Sequence, residues 1–320
     1  MTPYVLTLSC PDRPGIVHAV SGALAGAGGN ITESQQFGDP TSGRFSMRVQ
    51  VDVAADIEIL RATLVDAVEP LGAIWDVVRA DDRPRTLILV SREGHCLNDL
   101  LFRERSGSLP IEIVGVLSNH DDLRALATFY EVGYHHVPVT PDTRAAAEDA
   151  LTTLCGELIV ELVVLARYMQ VLSPLLCAEL SGRAINIHHS FLPSFAGAKP
   201  YHQAHERGVK LIGATAHYVT AALDEGPIIE QDVERVDHSH AISGLVATGR
   251  DLESRVLTRA VRWHAERRVL LDGRRTVVWS CGEEAAGSRS RHHRRASGRG
   301  HRDRCRPRSR PASRRRASPS

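Results

Sequence analysis

The stretch Ala184-Ile185-Asn186-Ile187-His188-His189-Ser190-Phe191-Leu192-Pro193 decides the fold. It reads as an apolar strand that ends in an amide, two imidazoles and a hydroxyl. In parallel sheets, ligands gather beyond the carboxyl ends of the strands. Asn186 and His188 lie two apart, so their side chains share one face. Further on, Leu223-Asp224-Glu225-Gly226-Pro227 offers a carboxylate next to a glycine. An amide and an imidazole that donate to an oxyanion, with a carboxylate to orient and deprotonate a nucleophile, are the parts needed to attack a carbonyl. The same residues also suit a strand end that satisfies backbone groups and an ordinary Asp-Glu-Gly turn, and the pattern alone leaves both open.

Outward from that stretch, strands alternate with helices. Residues 86–90, 112–117, 135–139, 158–165 and 184–187 read as buried strands, and 95–105, 125–131 and 143–154 as helices between them. Such alternation implies an α/β fold with a mostly parallel, Rossmann-like sheet covered on both faces. Residues 227–236 continue as a strand, 242–266 as a long helix and 269–279 as a hairpin turning at Asp272-Gly273.

Residues 1–80 follow another pattern, β-α-β-β-α-β, the order of a ferredoxin-like α+β domain. Pro11-Asp12-Arg13-Pro14-Gly15 opens a helix whose Ile16, Val17, Val20 and Leu24 share a face. Met47, Val49, Val51 and Val53 alternate with polar residues and predict a strand with one buried face. Residues 81–85 form a polar linker, and the second domain spans 86–280. From 281 to 320 the chain is Arg, Ser, Gly, Pro and His, a composition unable to bury a core. Thirteen arginines there face only Glu283, Glu284 and Asp303, so at a whole-chain charge of +1 the remainder is acidic. That makes nucleic acid an unexpected partner for the body. The tail itself reads as a solvated appendage, an overextended reading frame, or a segment for RNA or an anionic surface.

The six cysteines are scattered with no CxxC pair, which suits a reducing cytoplasm rather than a zinc ribbon or disulfide framework. No basic segment followed by an apolar run opens the chain, and no apolar run is long enough for a membrane span. Sixteen histidines invite a metal, but no HExxH or spaced His/Asp cluster occurs, and His188 and His189 should point to opposite faces of an extended chain. No metal is expected. Ser190 sits in no Gly-x-Ser-x-Gly elbow and reads as a hydrogen-bonding residue.

Asn186 to Pro193, followed by Leu223 to Ile229, resembles the folate-dependent formyltransferase family over about residues 84–279. Asp12-Arg13-Pro14-Gly15-Ile16 with Gly28-Gly29-Asn30-Ile31 resembles an ACT domain. The resemblance implies that Asn186, His188 and Asp224 are catalytic and that no cofactor is bound. It also implies a pterin slot walled by Met169, Gln170, Val171 and Leu172, with Thr220 and Leu223 opposite. His189 stands where a phosphorylated-amine branch has proline, so it either places a water or only packs. An ACT domain in front, and a turn at Ser91–Leu97 with one glycine and Glu93 where that branch cradles a phosphate, point to water as the acceptor. The expected reaction is hydrolysis of 10-formyltetrahydrofolate, supplying formate for purine synthesis and balancing folate pools. The ACT loop of Asp12, Arg13, Pro14, Gly15, Gly29 and Asn30 either binds an amino acid, methionine or glycine, or only pairs subunits. A homo-oligomer is implied.

Overall fold

The computed structural model describes residues 1–193 and 200–279. The arginine-rich stretch 281–320 lies outside those residues, together with Cys281 and Cys305.

The N-terminal part runs β1 (Thr2–Pro11), α1 (Ile16–Gly26), β2 (Asn30–Asp39), β3 (Arg44–Val53), α2 (Ile57–Val68) and β4 (Ile74–Arg79). Its strands form an antiparallel sheet in the order β2-β3-β1-β4. Val20 and Leu24 of α1 and Leu60 and Leu64 of α2 close one core with Leu6, Leu8, Met47 and Val49 of the sheet.

The second part continues with β5 (Arg85–Val90), α3 (His95–Arg105), β6 (Glu112–Ser118), α4 (Arg124–Phe129), β7 (Tyr134–His136), α5 (Arg144–Glu157) and β8 (Leu162–Leu165). Then come α6 (Pro174–Glu179), β9 (Ala184–His188), α7 (Pro200–Glu206), β10 (Leu211–Tyr218), β11 (Ile228–Arg235), α8 (Ile242–Ala265) and the hairpin of β12 (Val269–Asp272) and β13 (Arg275–Val278). The large sheet has the order β11-β10-β9-β8-β5-β6-β7. Its strands β5 to β9 pair in parallel, whereas β10 and β11 are antiparallel. Strand β8 shows why the apolar run 162–166 folds this way. Leu162 and Val164 enter the core under α3 and α8, and Val163 and Leu165 enter the core under α5 and α6. Each such side chain contributes about 1.5–3 kcal/mol when fully buried, so the strand is held from both faces.

The connections leave β5 in opposite directions, to β6 on one side and β8 on the other. That reversal opens a crevice at the strand ends. Several elements differ from the sequence expectation, among them β10, where no strand was expected, and β7, which spans Tyr134–His136 rather than 135–139. The strand expected over 158–165 begins only at Leu162, because α5 runs on to Glu157 and closes with Ile159 at φ 51° and Val160 N bonded to Cys155 O. Helix α6 was not foreseen, although Ser173 caps it through Leu176 N at 3.3 Å and Pro174 occupies its first turn.

Strand β3 also departs from its pattern. Ser46 and Arg48, on the face expected to meet solvent, are buried. Glu266, the residue that follows α8, lies over Arg48. Arg48 donates to Glu266 O at 3.1 Å and to Glu33 Oε2 at 2.7 Å, and Arg268 meets the same Glu33 at 3.3 Å. A charged residue in a strand pattern marks solvent only when no second element lies over it.

Candidate active site

Asn186 and His188 leave β9 on one face, the face that carries Val163 and Leu165 in the neighbouring strand. His188 Nδ1 lies 3.2 Å from Asp224 Oδ2. Two backbone features bring Asp224 there. The residue itself takes φ 58°. Gly226 then passes so close to β10 that a β-carbon would sit 1.7 Å from Tyr218 O. Only glycine permits that approach. The carboxyl of Asp224 is held far below the ordinary range chiefly by hydrogen bonding from His188, against the opposing effect of burial.

His217 was not singled out from the sequence. Antiparallel β10 sets it opposite Asn186, with its Nε2 3.2 Å from Asn186 Nδ2. Its Nδ1 donates to Tyr218 O at 2.9 Å, so Nε2 is the lone-pair atom and accepts from the Asn186 amide. One N–H of Asn186 is thereby spent and the other is free to donate into the crevice. The alternation of Ile212, Ala214 and Ala216 with Thr215 and His217 was the available signal.

The trio opens into a cleft of about 700 Å³. Met169, Gln170, Val171, Leu172, Thr220 and Leu223 all line it. Met169, Val171 and Leu223 are half or more exposed, an apolar mouth suited to a flat ring. The loop behind them is tied down: Met169 N donates to Ser91 Oγ at 3.0 Å, Ser91 Oγ donates to Asn119 Oδ1 at 2.7 Å, and Ser91 N bonds Arg167 O at 3.2 Å.

The inner end is charged and closed. His189 does not face away from His188; their rings stack with centroids 4.8 Å apart and planes 16° apart. Strand β9 ends at His188, so the alternation on which the expectation rested stops one residue early. Arg167 Nη1 meets His189 Nδ1 at 2.5 Å and Arg167 Nε lies 3.4 Å from Glu253 Oε2. Glu253 is 1% exposed and also takes Tyr201 Oη at 2.7 Å and His95 Nε2 at 2.8 Å. Burial pushes the Glu253 carboxyl up, but His95, the Arg167 guanidinium and Tyr201 outweigh it and hold it below the usual value. Sequence reasoning missed Arg167, Glu253 and His95 as site residues, and their separation in the chain left no local signal.

A model of the Formyl transferase family matches residues 84–261, and one of the ACT domain matches residues 4–67. A formyltetrahydrofolate deformylase of Corynebacterium sp. (strain P-1) is 54% identical over 86% of this chain and 97% of its own length. The chain belongs to the formyltetrahydrofolate deformylase family. The formyltetrahydrofolate deformylase of Bacillus subtilis (strain 168) is 46% identical over 86% of this chain and 93% of its own. A crystal structure of formyltetrahydrofolate deformylase from Burkholderia mallei superposes with a TM-score of 0.85 at 50% identity, covering 88% of this chain and all of that one.

In this member of the deformylase family, the ACT loop residues lie apart from the cleft lining. Gly15 caps α1 at φ 96° with no side-chain cap bond, which leaves backbone amides at the helix start. Arg13 Nη2 donates to Pro70 O at 2.5 Å, and Asp12 N to Gly43 O at 2.8 Å. Gly29 packs so closely that a β-carbon would lie 2.8 Å from Leu24 O, and Asn30 opens β2 on the surface. Pro14 is exposed in the turn before α1. Among the described residues, one group of metal-ligating type occurs, His95, Cys96 and Glu253, within 4.8 Å of one another. Its carboxylate already serves Tyr201, His95 and Arg167. No described helix is long and apolar enough to cross a membrane.

Proposed function

We propose that the protein hydrolyses 10-formyltetrahydrofolate to formate and tetrahydrofolate, using side chains and water with no bound cofactor or metal. The carrying observation is the meeting of Asn186, His188 and Asp224 at one cleft with an apolar mouth. The pterin occupies the mouth between Met169–Leu172 and Thr220–Leu223, and the formyl group enters beneath it. Water oxygen bonds to the formyl carbon as the carbonyl electrons move onto oxygen. The free N–H of Asn186 and the Nε2 of protonated His188 receive that oxyanion. Asp224 stays ionised at working pH and orients the water. So weak a base takes the proton only in concert with C–O bond formation. Collapse breaks the C–N bond, and the departing nitrogen receives the proton. Glu93, in the turn where a phosphate would need free amides, lines the cleft and supports water rather than an anionic amine as acceptor.

The wider role follows as part of the proposal. The enzyme would act in the cytoplasm, supply formate for purine synthesis and balance one-carbon folate pools. The ACT part would sense methionine or glycine, and homo-oligomerisation would pair its exposed strand β2. Incubation with 10-formyltetrahydrofolate alone tests the activity. Stoichiometric formate and tetrahydrofolate are expected, with a rate altered by methionine or glycine. Formate-free turnover that requires an added amine would replace hydrolysis with transfer.

A further inference from the structure

We propose that Arg167, braced by Glu253, is a positioning residue that fixes His189 with its proton on Nε2, so that a donor and not a lone pair meets the attacking water. The tautomer follows from geometry alone; the identity of what it meets rests on the hydrolytic function proposed above.

A guanidinium has only donors. Arg167 Nη1 sits 2.5 Å from His189 Nδ1, so Nδ1 must be the acceptor. A neutral imidazole with its lone pair on Nδ1 carries its proton on Nε2. That Nε2 is buried without a partner among the described residues, and so is the Nε2 of His188. Both residues line the cleft. Two stacked rings with centroids 4.8 Å apart thus present two unpartnered nitrogens side by side. A formyl oxygen and a water about 3 Å from the formyl carbon fit such a pair. The Nε2–H of His189 takes one lone pair of the water, the other lone pair attacks, and the proton leaves toward Asp224. His189 is therefore no base at that nitrogen.

The brace is built for this geometry. Arg167 takes φ 66°, a left-handed conformation that an arginine adopts at a cost. Its charge faces Glu253, which Tyr201 and His95 hold from two sides. Gly249 of α8 makes room for Tyr201, since a β-carbon there would lie 2.0 Å from the Tyr201 hydroxyl. The charged groups acting on His189 are Arg167 beyond β8, His188 of β9, Glu253 of α8 and Asp224; the Tyr201 ring of α7 lies 6.5 Å away, and His202 of α7 and Glu93 before α3 line the same cleft. Burial first, then Arg167 and His188, push His189 down to about 4 against Glu253 and Asp224. Protonation of Nδ1 would set a proton against the guanidinium.

The experiment is nitrogen-15 NMR of histidine-labelled full-length protein from pH 8 to 5, with the His189 signals assigned by His189→Gln. The expected spectrum shows Nε2 protonated, Nδ1 unprotonated and no titration. Titration near 6.5, or a proton on Nδ1, would overturn the proposal without any variant. Arg167→Met should move the His189 titration upward from about 4, with burial still holding it below 6.5, give formate release a new acid limb, and lower kcat about 10- to 100-fold with folate KM little changed. Arg167→Lys, which keeps a donor, should recover part of kcat and remove the acid limb. Equal losses in both variants with an unchanged pH profile would reduce Arg167 to a structural role and sink the proposal. A wild-type protein with the expected tautomer but no formate release would instead sink the hydrolytic reading and leave the tautomer standing.

Discussion

The two ends of the cleft obey opposite rules. At the mouth, Met169, Val171 and Leu223 stand exposed and apolar, without hydrogen-bond partners to satisfy. At the inner end, His188 and Glu253 are buried, His189 and Arg167 are largely so, and directed polar contacts tie them together while the Nε2 atoms of both histidines stay unpartnered. The mouth gains affinity by covering apolar area, which tolerates small shifts of position. The inner end works through directed donors, whose effect falls away when they are misaligned by a fraction of an ångström. On the proposed function, binding and chemistry are separated along one cavity, and variants at each end should separate KM from kcat.

The largest effect should come from the trio. Asn186→Ala or Asp224→Asn should lower kcat by about 10²–10³ while folate affinity holds, since each removes an oxyanion donor or the water-orienting carboxylate. Formate release and a folate titration check it; equal losses in both quantities would erase the division. Next, Glu253→Leu should destabilise the fold by about 1–3 kcal/mol, because it removes the buried carboxylate that Arg167, His95 and Tyr201 share. Urea unfolding reads this directly. By contrast, Leu223→Ser should raise KM several-fold, leave kcat intact and change stability by less than about 0.5 kcal/mol. A kcat loss there would show that the mouth also aligns the formyl group.

The smallest effect is a pH slope. His189 and His264 are both pushed down to about 4, chiefly by burial, from an unfolded value near 6.5. The unfolded chain therefore binds protons that the fold refuses. Stability is full above about pH 6.5, declines as pH falls toward 4, and flattens below that. Thermal melts across this window check it, and His264→Gln should shallow the slope. An unchanged slope would mean that these rings are reached by water.

Much of this was legible in the chain. The apolar runs in 158–165 and 184–187, alternating with helices, announced the parallel strands, and Asn186, His188 and Asp224 stood in a recognisable order. The loop at Met169–Leu172, proposed to hold the pterin, was legible only through its resemblance, because Met and Leu there are ordinary core residues by composition. Arg48 was misjudged as solvent-facing because a strand's period describes one sheet and not what lies over it. Stacking of His188 on His189 was missed because the strand ends between them.

By itself, the sequence determined which segments become strands, which strand ends carry polar groups, and where a glycine lets Asp224 approach. Those are local matters of side-chain period and backbone freedom. Only the tertiary structure decided that His217 aligns the Asn186 amide and that Arg167, Glu253 and Tyr201 close around His189. These partners come from a neighbouring strand, a loop and two helices. Their hydrogen-bond directions exist only once the elements are packed, and it is those directions that settle which nitrogen carries the proton.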